Sequence, residues 1–83
     1  MKNVTVLYFA GVRELTGIAD EQLRVTDGVG SVQGLLAYLV RQRPELRGRL
    51  AGVRVARNET FVDESEPVAD GDVLALIPPV QGG

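Results

Sequence analysis

This 83-residue chain contains no cysteine and no histidine. Without cysteine no disulfide can staple it, which argues against a secreted mini-protein. Thiolate and imidazole metal centres are excluded too, and no metal site is expected. A nucleophile activated by histidine cannot be built. Any reactivity must come from carboxylates, hydroxyls, lysine, the backbone or the chain ends. No apolar run approaches the roughly 20 residues that span a bilayer. The opening Met1-Lys2-Asn3-Val4-Thr5 is interrupted by polar residues and does not read as a signal peptide. The expected location is therefore cytoplasmic, with no membrane partner. Strong positive charge is also missing. The net charge of −2 argues against nucleic acid as the main partner.

What is present is ordinary globular composition, 45% hydrophobic and 24% charged, at a length that permits one domain. Such a domain has a thin core. A deep catalytic cleft is hard to build inside it, so a binding or carrier role is favoured over an independent enzyme.

Val4 to Ala10 is rich in β-branched and aromatic residues and predicts a strand. Both of its faces are largely apolar, which suits a strand covered on both sides. Val12 to Thr16 predicts a short helix stopped by Gly17. Glu21 to Thr26 predicts a second strand, close enough to the first to form a hairpin with it. Ser31 is a good helix N-cap. Val32, Leu35, Leu36, Leu39 and Val40 then recur at i, i+3, i+4, i+7 and i+8, the stripe of an amphipathic helix. Pro44 disfavours helical geometry at Arg43 and ends the helix there. Leu46 to Leu50 predicts one further helical turn. Val53 to Ala56 predicts a short strand, and Phe61-Val62 a brief extended piece. Asp70-Gly71-Asp72 is a tight turn feeding a last strand, Val73 to Ile77. That strand is apolar on both faces and suits a central position. The pattern predicts an α+β fold, a mixed sheet packed on one main helix, and the β-grasp (ubiquitin-like) architecture fits it. The expected division is a domain over 1–77 and an extended, flexible tail over 78–83.

The tail carries the chemistry. Pro78-Pro79 fixes φ and favours an extended conformation that leaves the sheet. Gly82-Gly83 has no side chains, so only bare backbone must fit a narrow channel. At its end sits a carboxylate. Once adenylated, a carboxylate becomes a competent acyl donor, and sulfur transfer to it would give a thiocarboxylate. A terminal Gly-Gly arises by chance in roughly one chain in 200 at average glycine usage. The pair therefore argues for function only together with the strand and the prolines before it.

Leu76-Ile77-Pro78-Pro79-Val80-Gln81-Gly82-Gly83, preceded by Asp70-Gly71-Asp72, resembles the end of the molybdopterin synthase small subunit (MoaD) family. Tyr8-Phe9-Ala10-Gly11-Val12-Arg13-Glu14-Leu15-Thr16-Gly17 resembles that family's first strand and short helix, and Val55-Ala56-Arg57-Asn58 with Phe61-Val62 a third stretch. The matches run in order along the full length. The resemblance implies a β-grasp fold and a sulfur carrier. Gly83 would be adenylated by a ubiquitin-activating-like enzyme using ATP, then converted to a thiocarboxylate. Pro78, Pro79, Val80, Gln81 and Gly82 would insert into the synthase large subunit, where sulfur passes to a pterin precursor (precursor Z) for molybdenum cofactor. The family's synthase is a heterotetramer. No cofactor bound to this chain is implied. The motifs show no departure from the family's, though Gln81 is bulkier than the small hydroxyl residue the family often carries there.

Leu7, Phe9, Phe61 and Ile77 fall on the strand faces not needed to cover the helix. They are expected to form an apolar patch for the large subunit, the alternative being that these faces are the core. Six of nine basic residues lie between Arg41 and Arg57, and six of eleven acids between Glu59 and Asp72. The acidic stretch reads first as a solvated loop and second as a surface meeting a basic partner. Asp70 and Asp72 alone make a poor cation site, and Arg13-Glu14 reads as a surface pair of little energetic weight.

Three other functions share these features. One is a sulfur carrier for thiamine or tRNA thiolation, separated by which acceptor enzyme it binds. Another is a ubiquitin-like protein modifier, which would leave ladders of conjugates. The third is an interaction module with an inert tail, for which deleting Gly82-Gly83 would change nothing.

Overall fold

A computed structural model describes residues 1–79 of the chain. The chain runs β1 (Lys2–Tyr8), α1 (Ala10–Thr16), β2 (Asp20–Val25), α2 (Val32–Gln42), a 3-10 turn at Pro44–Leu46, β3 (Arg54–Arg57), β4 (Thr60–Val62) and β5 (Val73–Ile77). The strands form one five-stranded sheet in the order β2-β1-β5-β3-β4. β1 pairs antiparallel with β2, from Lys2–Val25 to Leu7–Asp20, and parallel with β5, from Thr5–Val73 to Tyr8–Leu76. β5 therefore lies at the centre, as its two apolar faces require. The mixed sheet wrapped on α2 is the β-grasp arrangement.

The period-2 pattern of β1 sends Val4, Val6 and Tyr8 to one face, where Leu74 and Leu76 of β5 join them. The buried side of α2 supplies Val32, Leu35 and Leu39 to the same cluster. Leu36 and Val40, the rest of the predicted stripe, are only partly buried at its edge. Ser31 caps α2 as expected, its Oγ accepting the Gly34 N–H at 3.2 Å. Carbonyls of the later loop satisfy two more of the helix's first N–H groups. Val32 N–H donates to Glu66 O and Gln33 N–H to Glu64 O, both at 2.9 Å. Buried Val68 anchors that loop.

Two expectations need correction. The first strand ends at Tyr8, not Ala10. Phe9 is the extended N-cap of α1, and Ala10 opens the helix at φ 47, so the chain turns two residues early. No helical turn covers Leu46 to Leu50. A single 3-10 turn forms instead at Pro44–Leu46, two residues earlier, started by Pro44 with its preset φ, and Gly48 follows at φ 73. The other elements lie within a residue or two of their predicted places.

A polar network fixes the end of α2 against the sheet. Tyr8 donates its hydroxyl to Glu21 Oε2, and Arg43 grips the same carboxylate through Nε and, at 3.2 Å, through Nη2. Arg43 Nη1 also reaches Glu45 at 3.2 Å. Burial opposes the charge on Glu21, yet the hydrogen bonds from Arg43 and Tyr8, with the Arg43 charge, hold its pKa below the ordinary value. Burial above all, then the bond to Glu21, pushes the Tyr8 phenol well above its ordinary value. Glu21 thus binds its proton less readily folded than unfolded. Its contribution is complete above the unfolded pKa and is lost as pH falls through the folded one. Between about pH 6 and pH 3 the melting temperature is expected to fall more steeply in wild type than in Glu21→Gln. Parallel slopes in thermal unfolding would contradict this.

Candidate functional site

On the face of the sheet turned away from α2, alternate residues of four elements converge. Leu7 of β1, Phe9, Phe61 of β4, and Val73, Ala75 and Ile77 of β5 line one shallow apolar groove. Phe9 and Phe61 remain 45% and 50% exposed, which is unusual for large apolar side chains outside an interface. The four residues expected to form a patch are therefore adjacent, and the core lies on the opposite face. Phe9 is held out by its place at the N-cap of α1, where the backbone is extended (φ −125, ψ 151) and its carbonyl accepts the Val12 and Arg13 N–H groups. Phe61 reaches the groove because it stands opposite Ala56 in the β3–β4 hairpin, and Ala56 leaves room.

Some features of the groove escape sequence reasoning. The Arg54 guanidinium lies over the Phe61 ring, 3.9 Å from its centroid. This contact depends on the β3–β4 register, which sets Phe61 opposite Ala56, two residues along the same strand face from Arg54. The two-residue turn Asn58-Glu59 closes the hairpin at the far end and adds both residues to the groove wall. The exposed Glu59 carboxylate was not singled out in the sequence.

The groove ends where the tail begins. Pro78 and Pro79 follow β5 directly, with Pro78 beside Val12, Glu14, Leu15 and Arg49. Gly52 lies against the Pro79 ring, and its φ of 78, which L side chains rarely adopt, is what calls for glycine there. Val80, Gln81, Gly82 and Gly83, expected to carry the reactive carboxylate and its approach, lie outside the described residues.

The acidic stretch is partly structural. Glu66 pairs with Arg57 at 3.2 Å, and Asp70 accepts the Asn3 N–H at 2.7 Å. Asp72 is buried and accepts from Asn58 Nδ2 at 3.0 Å and from the Ala69 N–H at 2.8 Å. Asp70 and Asp72 thus serve the turn that launches β5. Among the described residues no group of three or more acidic or other ligating side chains could hold a metal ion. No helix of the described residues is long and apolar enough to cross a membrane.

The ThiS family model matches residues 6–83. The molybdopterin synthase sulfur carrier subunit of Arabidopsis thaliana is 40% identical over 80 residues, covering 96% of this chain and 82% of that one. Among solved structures, small archaeal modifier protein 1 of Haloferax volcanii superposes with a TM-score of 0.86 at 30% identity, over 96% of this chain and all of that one. A complex of subunits 1 and 2 of molybdopterin-converting factor from Helicobacter pylori contains a chain that matches with a TM-score of 0.70 at 27% identity. That match covers 98% of this chain and 99% of that one.

Proposed function

This chain belongs to the ThiS family, and from that premise we propose that it is the sulfur carrier of a molybdopterin synthase. The Gly83 carboxylate attacks the α-phosphate of ATP on a ubiquitin-activating-like enzyme, and pyrophosphate leaves. A sulfur donor then displaces AMP from the acyl-adenylate, leaving a C-terminal thiocarboxylate. The charged carrier docks on the synthase large subunit and presents its terminus to the pterin precursor. The chain itself contributes a nucleophilic sulfur and a docking face. The catalytic groups belong to its partners.

The observation that carries this reading is the apolar groove of Leu7, Phe9, Phe61 and Ile77, running up to the Pro78-Pro79 root of the tail. A carrier must hold its partner and aim its terminus at once, and the groove and the tail root are contiguous. The Helicobacter relative, captured with subunit 2, supports a large subunit as the occupant. The expected experiment is intact mass spectrometry of the chain co-expressed with an activating enzyme. The mass should rise by the difference between one sulfur and one oxygen. An unchanged mass, with ATP and a sulfur donor supplied, would overturn the proposal. The kinship to an archaeal modifier protein favours a second reading, isopeptide attachment of Gly83 to lysines. Conjugate ladders that vanish on deleting Gly82-Gly83 would support it.

A further inference from the structure

Beyond the docking face itself, we infer that Glu59 is the residue with which the groove reads a basic side chain on the protein it binds. The inference rests on the reading of the groove given under Proposed function. It starts from backbone geometry. Asn58 and Glu59 form a two-residue hairpin turn with φ 49 and φ 74. Turns with both φ values positive favour glycine at the second position. A side chain there is strained.

Asn58 has an evident reason to be where it is. Its Nδ2 donates to Asp72, and its Oδ1 accepts the Val73 N–H at 2.9 Å. Glu59 has no such reason. Among the described residues it makes no hydrogen bond and no ion pair, although it lines the groove. Four of its acidic neighbours are tied down, Asp63 by Ser65, Glu66 by Arg57, Asp70 by Asn3 and Asp72 by Asn58. Glu59 is an unengaged carboxylate on an apolar wall, held in a conformation that a glycine would adopt at lower cost.

The strand register gives the groove a direction. Arg54 pairs with Ile77, beside the tail root, whereas Arg57 pairs with Leu74, one residue from the start of β5. The Asn58-Glu59 turn lies beyond Arg57. At the tail end a cation, Arg54, therefore flanks the groove by lying over the Phe61 ring, and an anion, Glu59, lines its other end. A partner segment that fits has an apolar side chain for the groove and a lysine or arginine against Glu59. Rotated end for end, its cation would meet Arg54 and be repelled. Charge placed this way fixes docking orientation and speeds encounter, and orientation decides whether the tail root faces the partner's channel.

The test uses the full chain and a molybdopterin synthase large subunit, with association rates measured at low and high salt. Glu59→Gly should melt at higher temperature than wild type, because the strain is gone. It should nevertheless associate roughly tenfold more slowly at low salt, with the deficit vanishing at high salt. Glu59→Gln, which keeps the strain and the shape, should show the same kinetic loss without the gain in melting temperature. Wild-type rates for both variants at low salt would overturn the inference and leave the proposed function standing. Absence of wild-type binding would overturn both.

Discussion

Phe9→Asp is expected to abolish detectable binding to the large subunit while leaving the domain folded. Phe9 is nearly half exposed on the wall of the apolar groove, so its ring adds little to the core and much to a docked surface. Truncating an aromatic anchor of this kind costs at least about 2 kcal/mol of binding, roughly 30-fold in affinity. An aspartate adds the cost of burying a charge without a partner. The usual objection, that such a variant simply unfolds, is weak at this position. Phe9 is the N-cap of α1 and offers no side-chain cap of its own. Aspartate is among the best capping residues, accepting from the first free N–H groups of a helix. The melting temperature should therefore stay within a few degrees of wild type or rise. Calorimetric titration and thermal unfolding, run on the same sample, separate the outcomes. Unchanged affinity would remove the groove from the binding surface, and loss of folding would place Phe9 in the core.

The largest effect on stability is expected at the opposite face. Leu74 is fully buried in β5, between β1 and β3 and within the cluster that α2 covers. Leu74→Ala leaves a cavity that its neighbours cannot fill, because it is enclosed by strands on both sides. Such substitutions cost about 2–5 kcal/mol. Small domains are stable by only about 5–15 kcal/mol. For a chain of this size the melting temperature should fall by roughly 10–30 °C. Ile77→Ala, three residues along but on the groove face and only partly buried, should cost much less. A comparable loss at both positions, by denaturant or thermal unfolding, would contradict this division between core face and groove face.

That division was legible in the sequence because it follows from spacing. Alternation along β1 and β5 separates Val4, Val6, Tyr8, Leu74 and Leu76 from Leu7, Phe9, Ala75 and Ile77, and the stripe on α2 shows which set has a cover. Terminators were legible for a similar reason. Gly17 and Pro44 act through their own backbone restrictions, and both helices stop where they stand. What could not be read depends on partners distant in the chain. Glu21 meets Tyr8 and Arg43 across separations of 13 and 22 residues, and no local pattern links them. Arg54 reaches Phe61 only because the β3–β4 register brings them together. Ala10 was misread for the opposite reason. It has a good local pattern for continuing the strand, and the left-handed turn at its φ is imposed by the need to start α1. The terminus could be read only as a chemical expectation, from Gly82-Gly83 and the two prolines, and its last four residues lie outside the described structure.

Strand β5 is held along both flanks, by two rows of four paired residues, one with β1 and one with β3. The tail leaves directly from its end. Tension applied beyond Pro79 would run along the strand axis and strain both rows together in shear, instead of opening them one rung at a time. A partner that hauls the terminus into a narrow channel would be tugging on the best-moored strand of the sheet. The globule would be towed against the channel mouth, with its apolar groove still intact.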